Sequence, residues 1–245
     1  MQTAETNWSK SLRLAEKENC FVFDELFGSS VIAGFTKDTL KGTVPRDIKK
    51  TLSFLEEEYK LAYLKQIHSS RINFIKKDGE SEGDGLFSKD DNLVMIVRTA
   101  DCLPLFFASE QEGIVGVMHM GWKPAQQGIL ENIEFDLSSF KVAAGVGLRK
   151  CCYQVGDEFM DHSSFRPFLE KRQKGFYFDP IDFAREYLWR KGLPKSNFFD
   201  TGICPLCSSG FFSYRKDKTQ DRTLSFIVKQ SSQEPETLEK ANPFG

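Results

Sequence analysis

Cys102 stands in TADCLPL at the edge of an apolar run, and His119 follows a second apolar run in HMGW. His68, in KQIHSS, ends a third strand-like segment. Two imidazoles and a thiol, each where a buried strand meets a loop, are the donors of a zinc site that keeps one position open. The same residue types permit another chemistry, with Cys102 as a thiolate nucleophile and a His base beside it. Spacing leaves both open. The remaining histidine, His162 in FMDHSSF, has polar neighbours and reads as a surface residue. Cys204 and Cys207 form a CPLC pair, half of a zinc knuckle. The adjacent Cys151-Cys152 does not read as the other chelating half, so these thiols are expected to be structural or incidental. DGESEGDG lacks the spacing and terminal Glu of an EF-hand and is expected to be a solvated loop. No glycine-rich phosphate fingerprint occurs.

The elements that must hold these residues follow from apolar periodicity. Strands are expected at Cys20 to Leu26, Val31 to Thr36, Leu61 to Ile67 and Arg71 to Lys76. The almost wholly apolar runs Leu93 to Val97, Leu103 to Ala108 and Gly113 to Met118 predict buried sheet strands. Lys141 to Val146 and Thr223 to Lys229 complete the set. Helices are expected around Ser11 to Lys17, from Pro45 to Tyr59, Pro124 to Phe135, Phe159 to Lys171 and Pro180 to Lys191. The last has Asp179 as cap and Gly192 at its end. Strands outnumber helices without regular alternation, which predicts an α+β class rather than a doubly wound sheet.

At 245 residues with a formal net charge of −2, the chain fits one domain and has no broad basic face for nucleic acid. The 23 phenylalanines are spread along it and read as core. No apolar run reaches the roughly 18 residues a membrane span needs. No secretory signal is evident at the N-terminus, and the six cysteines read as reduced thiols, so a cytoplasmic location is expected.

GFT at Gly34, QIHS at Gln66, DGLFS at Asp84, TADCLPL at Thr99, HMGW at His119, CCYQVGDEF at Cys151 and FFSYRKD at Phe211 with Arg222 occur in order. On these motifs the chain resembles the YfiH-like family, described formerly as multicopper polyphenol oxidases or laccases and now as purine nucleoside phosphorylases. The resemblance implies a single α+β domain of mixed sheets flanked by helices over residues 21–229, with polar segments 1–20 and 230–245 outside it. It implies His68, Cys102 and His119 as zinc ligands. It also implies phosphorolysis of adenosine, inosine, guanosine or methylthioadenosine, with adenosine deaminase activity beside it. Purine nucleosides and phosphate are then the expected partners, for a monomer or small homo-oligomer. Lys37 and Arg98 are candidates for phosphate charge, Gln66, Phe35 and Tyr214 for lining the purine pocket, and Asp101 for orienting a ligand or moving a proton. Lys37-Asp38-Thr39 and Lys123-Pro124 depart from the family's usual Arg-Gly-Gly and Arg-Gly. The copper label fails on counting, because such sites use on the order of ten histidines and this chain has three. A cysteine amidase built on Cys102 and His119, acting on a substrate such as a peptidoglycan precursor, is the alternative enzyme. A non-catalytic zinc-binding module is the alternative outside enzymes.

Overall fold

The computed structural model describes residues 12–37, 51–55 and 58–231. In chain order the strands are Leu14–Lys17 (β1), Cys20–Phe23 (β2), Val31–Thr36 (β3), Lys60–Lys65 (β4), Ile72–Phe74 (β5), Gly79–Glu82 (β6), Gly85–Ser88 (β7), Leu93–Thr99 (β8), Leu103–Ser109 (β9) and Ile114–Met120 (β10). A short helix, Trp122–Gln126 (α1), follows, then Lys141–Ala144 (β11), Gln154–Val155 (β12), Leu169–Arg172 (β13) and Gly175–Phe178 (β14). Pro180–Arg190 (α2), Phe198–Asp200 (β15), Tyr214–Asp217 (α3) and Thr223–Lys229 (β16) complete it.

These strands build a seven-stranded sheet in the order β1-β2-β3-β16-β8-β4-β6 and a six-stranded sheet in the order β15-β11-β9-β10-β7-β5. The two sheets share a core: Phe23, Phe35, Met95, Val97 and Ile227 of one pack with Leu86, Phe106, Val117 and Ala143 of the other. The reason β9 and β10 lack polar alternation lies in their second face. Leu105, Phe107 and Met118 point away from that core into another, against Ile129, Leu130, Phe140 and the Phe183 and Leu188 face of α2. Val94, Ile96, Phe226 and Val228 likewise face Leu52 and Leu55 on the outer side of the seven-stranded sheet. Strands covered on both faces read as continuous apolar runs. A small three-stranded sheet, β12-β14-β13, sits beside α2 in sequence.

β3 and β16 lie where periodicity puts them, and α2 is capped by Asp179, whose carboxylate accepts from the backbone N–H groups of Ile181 and Asp182. Other expectations fail for identifiable reasons. Leu14–Lys17 is a strand, not a helix, because it pairs antiparallel with β2. The helix after Trp122 stops at Gln126 and continues only as turns, with Gly128 at φ +81. Phe159 to Lys171 is not one helix: a first 3-10 turn ends at His162, whose backbone is extended, a second spans Arg166–Phe168 with Pro167 in its first turn, and Leu169–Arg172 leaves to pair with β14. Within DGESEGDG, Gly79–Glu82 is an edge strand parallel to β4. The segment from Pro45 to Tyr59 falls largely outside the described residues, as do residues 1–11 and 232–245. Among the described residues no helix is long and apolar enough to cross a membrane.

Candidate metal centre

β4 belongs to one sheet and β9 and β10 to the other, yet their ends converge. His68 follows β4, Cys102 precedes β9 and His119 lies in β10, so that one ligand atom from each falls within 4.8 Å of the others. The His68 and His119 rings meet edge to face at 4.9 Å between centroids. His68 at φ +55 and Asp101 at φ +93 occupy backbone regions that L-residues seldom adopt, which turns the chain sharply beside two of the donors. Gly121 is required by proximity: a Cβ there would stand 2.9 Å from the Cys102 sulfur and 3.5 Å from the His68 ring.

One buried carboxylate organises the group. Asp84 Oδ1 pairs with His119 Nδ1 at 2.7 Å and accepts from the His68 backbone N–H at 3.2 Å. Its Oδ2 accepts from the Ser69 N–H at 2.6 Å and the Ser69 hydroxyl at 2.8 Å. Fixing one ring nitrogen of His119 leaves the other facing Cys102, as carboxylate-backed histidines do at metal sites. Asp84 itself has no sequence signature apart from DGLFS, since an acidic residue in DGESEGDG looks solvated until it is seen to be buried.

Electrostatics match that geometry. Burial alone would push the Cys102 thiol up, but His119, with hydrogen bonds from both histidines, brings it down to about 6. Burial would also keep His119 neutral, yet the Cys102 thiolate and Asp84 raise it to about 9. Without metal the two groups form a thiolate–imidazolium pair. Cys102 contributes stability that is complete above about 9 and lost as pH falls through about 6. His119 contributes below 6.5 and loses its share as pH rises through about 9, so the joint contribution peaks between those limits. In metal-stripped protein, alkylation of Cys102 by iodoacetamide, followed by peptide mass mapping, should therefore show a midpoint near pH 6 rather than 9. A midpoint at the ordinary thiol value would mean that the imidazolium does not face the sulfur.

The three donors stand in a cleft of about 570 Å³, within the size range of small-molecule sites. Gln66, Arg98, Asp101 and Tyr214 line it too, with Trp122, Tyr153, Arg215 and Arg222. Gln66 and Arg98 are tied by reciprocal 2.8 Å bonds between the Gln66 amide and the Arg98 backbone. The Asp101 carboxylate accepts from the Ser213 hydroxyl at 2.6 Å and the Arg215 N–H at 2.7 Å. Two expected residues are not in the cleft. Phe35 is fully buried among Phe21, Phe23 and Phe211, each 5.9 Å away between centroids, because its strand faces the shared core. Lys37 pairs with Glu16 and lies 4.8 Å over the Phe21 ring. The cleft's positive charge comes instead from Arg98, Arg215 and Arg222. His162 lies apart, bonded to Gln126 at 2.9 Å.

Three donors that could hold one metal ion, in a polar cleft between two sheets, are the class of site that this fold defines. The model of the family described as multi-copper polyphenol oxidoreductase laccase matches residues 33–230. The chain is 34% identical over 173 residues to the purine nucleoside phosphorylase of Aquifex aeolicus, covering 66% of this chain and 80% of that protein. It is 31% identical over 181 residues to a purine nucleoside phosphorylase of Campylobacter jejuni, covering 69% and 76%. The crystal structure of YlmD from Geobacillus stearothermophilus has the same fold, with a TM-score of 0.79 at 22% identity over 90% of this chain and 99% of that one. That of YfiH from Bacillus licheniformis gives 0.78 at 21% over 91% and 100%. The chain belongs to this YfiH-like family. Its donor set suits one borderline metal ion, and nothing in it resembles a histidine-rich copper cluster.

Proposed function

We propose that the chain is a zinc-dependent purine nucleoside phosphorylase. It takes adenosine, inosine, guanosine or methylthioadenosine with phosphate to the base and the corresponding ribose 1-phosphate, and has adenosine deaminase activity as a second reaction. The observation that carries this reading is the convergence of His68, Cys102 and His119 in a cleft that also holds three arginines. The names of its relatives support the substrate class. Zinc held by that trio would supply a Lewis acid.

The chain's own residues do the rest. Among the described residues the Arg98 side chain has no hydrogen-bond partner. The Arg222 guanidinium bonds the Thr219 and Asp221 carbonyls, at 2.9 and 2.8 Å. Both present charge to the cleft, and planar guanidinium groups suit phosphate oxygens. Arg215 acts on the cleft wall instead. It is held by the Cys152 and Gln154 carbonyls and stacks 5.0 Å over Tyr153, which fixes that ring in place. Tyr214 and Trp122 offer further flat faces to a purine. In phosphorolysis the bond from the sugar's anomeric carbon to the base breaks as a phosphate oxygen bonds to that carbon, and the departing base takes a proton.

The test is phosphate-dependent release of hypoxanthine from inosine. Cys102→Ala should lose the metal and at least about 10²-fold in kcat/KM, the scale on which loss of a charge-stabilising group acts. Metal-stripped wild type turning over at an undiminished rate would refute the zinc role. A second reading has one specific observation behind it. Cys102, His119 and Asp84 form a thiolate–imidazole–carboxylate chain, the arrangement of a cysteine hydrolase. The third donor, His68, has no job in that scheme, which favours the metal. Amide hydrolysis that survives chelation would reverse the choice.

A further inference from the structure

Away from the cleft floor, the other cysteines have also come together. We propose that Cys151, Cys152, Cys204 and Cys207 form a second metal site, a closed tetrathiolate that binds zinc and has a structural role. Their four sulfurs all lie within 4.8 Å of one another. Cys207 Sγ is 3.4 Å from Cys151 Sγ and 3.2 Å from Cys152 Sγ, well beyond the roughly 2.05 Å of a disulfide. Four thiolates about 2.3 Å from one tetrahedral zinc would stand about 3.8 Å apart, so small shifts suffice.

In an extended chain, adjacent cysteines point to opposite sides and do not chelate one ion. Here the backbone turns: the N–H groups of Cys152 and Tyr153 both bond to the Arg149 carbonyl at 2.9 Å, which brings both sulfurs to one side. CPLC turns as well, with the N–H groups of Cys207 and Ser208 on the Cys204 carbonyl at 3.1 and 2.9 Å. On binding, each thiol gives its proton to solvent and the ion takes the four sulfurs.

The two sites differ as structural and catalytic zinc sites do: four protein ligands close one, and three leave the other open. What the closed site does follows from its place. Tyr153, which lines the cleft, is next to Cys152, and the Cys152 carbonyl accepts from Arg215. A metal there would pin the loop carrying Tyr153 to the loop leading to Ser213 and Arg215, and so fix one wall of the cleft.

The experiment counts metal in full-length protein purified under reducing conditions with Zn²⁺ supplied. Wild type should hold about two zinc ions per chain, one for each site. Cys102→Ala should keep the tetrathiolate ion, Cys207→Ser the other, and the double variant neither. Cys204 is buried, so replacing it would also disturb packing, and the exposed Cys151 and Cys207 are the positions to change. Loading with Co²⁺ gives a second readout on wild type: Cys102→Ala should retain the intense sulfur-to-cobalt charge-transfer absorption, and Cys207→Ser should lose most of it. One zinc in wild type, lost entirely with Cys102→Ala, would overturn the proposal. So would mass mapping that finds Cys207 disulfide-bonded to Cys151 or Cys152 under those conditions.

Discussion

Asp84→Asn should disable the metal centre without touching any of its donors. All four hydrogen bonds to the Asp84 side chain come from groups that donate or, for the His119 ring, are required to donate. An amide keeps one acceptor and turns the other end into a donor, which then faces either the His119 ring or the Ser69 N–H. The side chain is fully buried and His119 is 3% exposed, so water cannot relieve the mismatch. Removing one partner of a buried ion pair typically costs about 3–5 kcal/mol. The amide retains part of the bonding, so about 3 kcal/mol is expected here, read from the denaturant midpoint. Metal affinity, measured by chelator competition, should fall roughly 10–100-fold, as for other residues behind a metal-binding histidine. The acid form of the wild type should show the same defect. Burial pushes the Asp84 carboxyl up, but the hydrogen bonds from His119 and Ser69 outweigh it and hold the group below its ordinary 3.8. Its contribution therefore persists at neutral pH and is lost only as pH falls below that value. A variant with unchanged metal affinity would show that His119 is oriented by something else.

How much of this is legible in the sequence depends on whether a residue announces its own burial. Cys102 and His119 lie beside or in an almost wholly apolar buried strand, where a polar ligand is conspicuous, and His68 follows the alternating strand β4, whose Ala62 and Leu64 are buried. The strands themselves are legible for the same reason, since β8, β9 and β10 are covered on both faces. Asp84 is not, because it follows the mostly exposed Gly79–Glu82, and it is buried where the chain passes from β6 in one sheet to β7 in the other. Phe35 fails in the opposite sense. The aromatic of a GFT segment could face either way, and the register of β3 against β16 turns it into the shared core. Lys37 lies at the end of that strand, where Glu16 on β1 is closer to hand than the cleft. The cysteine cluster needs two turns, around Arg149 and within CPLC, that join residues more than 50 positions apart. No local pattern encodes that meeting.

Asp101→Ala should leave the metal in place and still remove most of the activity. Asp101 precedes a metal donor, but its carboxylate points the other way, to the Ser213 hydroxyl and the Arg215 N–H, while its carbonyl accepts from Leu148 at 2.8 Å. The residue therefore clasps the donor loop to α3, which carries Tyr214 and Arg215. Without the carboxylate, the Arg215 N–H and the buried Ser213 hydroxyl lose their acceptor, at a cost of about 1–3 kcal/mol. The wall of the cleft then shifts relative to its floor, and a misplacement of about 1 Å can lower turnover roughly 10²-fold. Zinc content should stay at the wild-type value, because Asp84 rather than Asp101 orients the donors. Asp101→Asn separates positioning from proton transfer. Its amide oxygen can accept from Arg215 N–H while its NH₂ donates to the Ser213 oxygen, so the clasp survives. If Asp101 acts only by holding α3, the Asn variant should recover inosine phosphorolysis to within a few fold of wild type. If it carries a proton, Asn should be as inactive as Ala, with the pH profile of kcat/KM losing one limb.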